Sequence, residues 1–75
     1  MDQTRKDKIK QVMIDTLTKN VNYPNCTVEV ILQQLKPMWL ALEEAKLTEG
    51  LNYQEYVNQA NNRAIFANIQ SMFNF

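Results

Sequence analysis

Thr27-Val-Glu-Val-Ile-Leu-Gln-Gln-Leu-Lys-Pro-Met-Trp-Leu-Ala-Leu42 decides the fold. Val28, Ile31, Leu32, Leu35, Met38, Trp39 and Leu42 recur at the three- and four-residue spacing that gathers side chains on one face of a helix. Thr27 stands where an N-cap hydroxyl belongs. Pro37 interrupts the pattern, because it has no backbone N–H and its ring collides with the carbonyl of Gln33, at a cost of about 3 kcal/mol in a helix interior. The spacing therefore predicts a helix over 27–47 that is kinked or broken near Lys36 and Pro37. From Met38 to Leu42 almost every side is apolar, so this segment is the centre of the fold or the centre of an interface.

Toward the N-terminus, Ile9, Val12, Met13, Thr16 and Leu17 trace the inner face of a first helix over about 4–19, with Ile14 about 130° from its centre. That helix starts at Asp2 or at Thr4, where Thr4-Arg-Lys-Asp7 approximates a capping box. Asn20-Val-Asn-Tyr-Pro-Asn-Cys26 is turn chemistry. Toward the C-terminus, Thr48-Glu-Gly50 closes the second helix, since Gly50 takes a positive φ without steric penalty. Asn52 then opens a third helix over 52–74, with Glu55 completing a capping box and Leu51 and Tyr56 at the staple positions. So short a connection implies an antiparallel hairpin across Gly50. With one glycine, two prolines and no alternating β-branched run in 75 residues, the chain reads as all-α: a small bundle of three helices forming a single domain, 1–75.

Residues 65–75 carry six large apolar side chains and no charge. Tyr53, Tyr56, Val57, Ala60, Ala64 and Ala67 share one helical face; Ile65, Ile69 and Met72 lie far round from it, and Phe66 and Phe73 lie opposite. A helix packed on one neighbour does not need two apolar faces. Either it breaks near Asn61-Asn62 or its halves bury against different surfaces, and both are signs of binding rather than chemistry.

A chain of this length buries only roughly 60% of its unfolded surface, so its core is marginal without a staple. Cys26 is alone and histidine is absent. An intrachain disulfide is impossible, a zinc site lacks its ligands, and helix packing and oligomerisation are the staples left. The lone cysteine and the lack of a signal-like apolar run lead us to expect a reducing, cytoplasmic setting, and no stretch approaches the roughly 20 apolar residues of a membrane span. Catalysis lacks its usual parts: no histidine base, no partner to hold Cys26 as a thiolate, and Glu43 and Glu44 pointing about 100° apart on a helix. There is no glycine-rich phosphate loop and no calcium-type carboxylate spacing, so no cofactor and no metal are expected.

Eight cations balance eight acids. No global field draws the molecule to nucleic acid, which makes that partner unlikely. Residues 1–19 hold five Lys/Arg against three Asp, with Arg5, Lys6, Lys8 and Lys10 clustered as candidates for contact with an acidic protein surface or as a solvated face. The candidates for protein binding are Ile14, Met38, Trp39, Leu40, Ile65, Phe66, Ile69, Met72, Phe73 and Phe75; core packing is the competing role for Met38 and Trp39. Asn and Gln supply sixteen residues, which reads as drift in an AT-rich genome, such as that of a phage or a low-GC bacterium, or equally as an amide-rich interaction surface. The expectation is a small non-enzymatic protein-binding module, an inhibitor, anti-defence protein, anti-activator or adaptor of a phage or other mobile element, that masks or bridges a surface on a larger partner or acts as a homo-oligomer, dimer favoured. The alternatives are a helix-turn-helix DNA-binding regulator and a self-assembling helical subunit.

Overall fold

The computed structural model describes residues 2–23 and 25–63, which build a small all-α bundle from α1 (Gln3–Asn20), α2 (Val28–Gln33), α3 (Leu35–Glu44) and α4 (Tyr53–Asn62). α1 begins at the earlier of the two expected starts. Asp2 is the N-cap and accepts from the Arg5 N–H at 2.9 Å, so its carboxylate satisfies an orphan donor and faces the positive end of the helix dipole. Asp7 does not complete a capping box; it accepts from the Gln3 amide at 2.8 Å.

The stretch from Thr27 forms two helices, and the break falls at Gln34, ahead of Pro37. Gln34 takes φ −97° and ψ 8°; its N–H closes α2 on the Ile31 carbonyl at 3.0 Å, and its carbonyl receives the Met38 N–H at 3.0 Å. The displacement has a physical reason. With Gln34 as N-cap, Pro37 is the third residue of α3, a position whose N–H has no intrahelical acceptor in any α-helix. The proline deletes no hydrogen bond there, and the turn at Gln34 moves the Gln33 carbonyl out of line with the ring.

α3 ends at Glu44, earlier than residue 47, and Lys46 rather than Gly50 reverses the chain. The Lys46 N–H donates to the Glu43 carbonyl and the Leu47 N–H to the Leu42 carbonyl, both at 2.9 Å, while Lys46 itself has φ 60°. This is a Schellman closure, and half-buried Leu47 packs against the core to which Leu42 belongs. Gly50, at φ 79°, serves a separate turn in which the Leu51 N–H reaches the Thr48 carbonyl at 2.9 Å.

Two contacts show that α1 and α3 run antiparallel. Near the start of α1, the Arg5 guanidinium donates to the Leu47 carbonyl at 3.1 Å and to the Glu49 carbonyl, beyond the end of α3. At the other end the Asn20 amide donates to the Gln34 side chain at 3.2 Å. Between them lie Ile9, Met13 and Leu17 of α1 against Leu35, Met38 and Leu42 of α3, closed by Ile31, Trp39, Tyr56 and Ala60. Each large apolar side chain so buried contributes about 1.5–3 kcal/mol. Val12 and Ile14 are half-buried against the same core.

Asn52 caps α4 as expected, accepting from the Glu55 N–H at 3.0 Å. α4 closes at Asn62 with Arg63 as its C-cap, where the apolar pattern changes face. The predicted extension to residue 74 lies outside the described residues. The full antiparallel hairpin is not what joins α3 to α4: α3 packs most closely on α1, and α4 reaches α3 through tyrosine side chains. Among the described residues no helix is long and apolar enough to cross a membrane.

Candidate functional site

Three aromatic rings join α3 to α4. Trp39 meets Tyr53 edge-on, centroids 5.4 Å apart at 67°, and Tyr56 at 5.1 Å and 47°; the two tyrosines lie 6.0 Å apart. Such pairs contribute about 0.5–1.5 kcal/mol beyond their area. The cluster has a dry end and a wet end. Tyr56 is 2% exposed, and its hydroxyl donates to the Leu35 carbonyl at 2.8 Å. Burial pushes its phenol well above the ordinary value of 10.0, and neighbouring Tyr53 adds to the rise. Tyr53, at 36% exposure, opens to solvent, and the Lys36 ammonium sits over its ring at 5.5 Å from the centroid.

One turn beyond Lys36 on α3 stands Leu40, 50% exposed. Among the described residues, Leu40 and Tyr53 are the large apolar side chains that face water. Tyr53 rests against Trp39 and Tyr56, and along α3 Leu40 is flanked by exposed Lys36 on one side and exposed Glu43 and Glu44 on the other.

The structure separates the predicted binding residues. Leu40 is on the surface, as proposed for an anchor. Met38 is fully buried and Trp39 is 7% exposed. Both are core residues here, because α1 covers one and the tyrosines of α4 cover the other; they support a contact surface without forming it. Ile14 is half-buried on the core. Ile65, Phe66, Ile69, Met72, Phe73 and Phe75 lie outside the described residues. Tyr53 and Lys36 are the members that sequence reasoning missed. The signal for Tyr53 was its place directly after the Asn52 cap, since a side chain in the first position of a helix overhangs the edge of the core.

The basic cluster is also divided. Arg5 is spent within the chain, on the Leu47 and Glu49 carbonyls. Arg5 and Lys8 line an open recess of about 410 Å³ with Asp2, Thr4 and Leu47. Lys6 and Lys10, both half-buried, leave α1 on a side about 150° away at 100° per residue. Four cations clustered within six residues are thus not one patch. Cys26 is a free thiol, half-buried against the core. Among the described residues no group of acids, cysteines or histidines is placed to hold a metal ion.

No family model matches this chain, and neither a curated protein nor a solved structure matches it.

Proposed function

We propose that this chain is a small non-enzymatic protein-binding module whose contact surface is the face of α3 and α4 carrying Leu40 and Tyr53, and that it acts by masking or bridging a protein surface. The observation that carries the reading is the exposure of Leu40 on α3 and of Tyr53 against the Trp39 and Tyr56 rings. A leucine half open to water contributes little to the chain's own fold, and an aromatic ring held by two neighbours loses little entropy when a partner covers it. The strongest ionisation shift, at Tyr56, belongs to a buried phenol held on a backbone carbonyl; this is a packing role. An inhibitor, anti-activator or adaptor in the cytoplasm of a phage-infected cell is the setting that such a module suits.

The DNA-regulator alternative is weakened by geometry. A helix-turn-helix unit joins its helices by a turn of about three to four residues. Here the joints are residues 21–27, Gln34 alone and residues 45–52. The divided basic cluster also offers no continuous track for a phosphate backbone.

The test is affinity capture from host extract with wild type and Leu40→Glu as paired baits, each checked for unchanged helix content. A protein retained by wild type and lost by Leu40→Glu is the expected result. Identical retention by both baits would count against this face.

A further inference from the structure

We infer that the occupant of the Leu40 face is a second copy of this chain, docked with its α3 antiparallel across a two-fold axis through Leu40. The inference rests on the protein-binding reading above and names the partner of that surface.

It comes from the order of charge along α3. Lys36, Leu40 and Glu44 are spaced by four residues, so Leu40 is the midpoint and each charge lies about 6 Å along the axis from it. All three are exposed, as is Glu43. Lys36, Leu40, Glu43 and Glu44 fall within about 100° of the helix circumference. A two-fold axis through the midpoint brings residue 40 − k of one copy opposite residue 40 + k of the other. Leu40 then covers Leu40, Lys36 meets Glu43 of the other copy on the same flank of the seam, with Glu44 level with it on the other flank, and the second pair forms by symmetry. An isologous contact needs a self-complementary patch of this kind. A parallel arrangement would set lysine on lysine and glutamate on glutamate.

Helices packed about 8–10 Å apart leave both charged side chains long enough to meet across the seam. Tyr53, over whose ring the Lys36 ammonium sits, adds an exposed aromatic ring next to the lysine end of the stripe. Trp39 packs against that ring with centroids 5.4 Å apart.

The symmetry permits a charge-swap test. Lys36→Glu gives a chain with acids at both ends of the stripe; the Glu43→Lys, Glu44→Lys double variant gives a chain with cations at both ends. Each alone faces itself with like charges, whereas a mixture of the two sets an acid opposite a cation at both ends of the seam. Sedimentation equilibrium across a wide concentration range should show wild type dimerising, and Leu40→Glu and each charge variant weakened about tenfold or more. The equimolar mixture should recover association to near the wild-type level. Helix content by circular dichroism checks that every variant is folded, and all the positions are exposed. A wild type that stays monomeric into the millimolar range, or a mixture no tighter than its components, overturns the inference. If wild type is monomeric but Leu40→Glu still loses a captured heterologous protein, the dimer is wrong and the binding face stands; if both fail, both readings fall.

Discussion

Replacing Tyr56 by phenylalanine removes one oxygen from the middle of the molecule, and its effect should reverse sign with pH. At neutral pH the variant loses the hydrogen bond to the Leu35 carbonyl, which lowers stability by about 1 kcal/mol. Wild type carries an alkaline liability that the variant lacks. Its phenol ionises at 10.0 in the unfolded chain and well above that when folded. The unfolded state therefore releases its proton first, and stability that is fully present below pH 10 declines as pH rises toward the folded value. One unit above the unfolded value the decline is about 1.4 kcal/mol. The variant's deficit should thus vanish near pH 11, by the same arithmetic. Urea denaturation of both proteins from pH 7 to 11.5, followed by circular dichroism, measures this directly, since the two chains differ only in the Tyr56 hydroxyl. Parallel stability curves with no convergence above pH 10 would show that Tyr56 is not a buried donor.

Lys46→Gly should stabilise the chain by about 0.5–1 kcal/mol, because a lysine at φ 60° carries left-handed strain that glycine does not; a thermal midpoint raised by a few degrees is the readout, and no rise would argue against the Schellman closure. Asn52→Ala should lower stability by about 1 kcal/mol through loss of the cap on the Glu55 N–H, seen as a lower urea midpoint.

The caps and the inner faces were legible in the sequence because they depend on neighbours within one helical turn. Thr27 accepts from the Val30 N–H and Asn52 from the Glu55 N–H, and Ile9, Met13, Leu17, Ile31, Leu35, Met38 and Leu42 are buried where the spacing put them. Three features needed the tertiary fold. Pro37 looks like a helix breaker in an uninterrupted reading, yet the chain turns at Gln34 and leaves the proline in a first turn where its missing N–H costs nothing. Lys46 takes a conformation that local preference reserves for glycine, since packing Leu47 against the core sets the point of closure. Arg5 finds its acceptors 42 and 44 residues away, a distance at which no local pattern operates. The surface was half legible for a similar reason: Leu40 lies off the inner face by its own periodicity, whereas the exposure of Tyr53 was decided by where α4 lands on α3.

The central claim is that this protein works by contact through the face of Leu40. A photo-crosslinking amino acid placed at position 40, and in a control at position 11, the exposed site of Gln11 on α1, tests it in living cells. The predicted result is a discrete protein adduct from position 40 and none from position 11, with the partner identified by mass spectrometry. Adducts from position 11 with none from position 40 would contradict it.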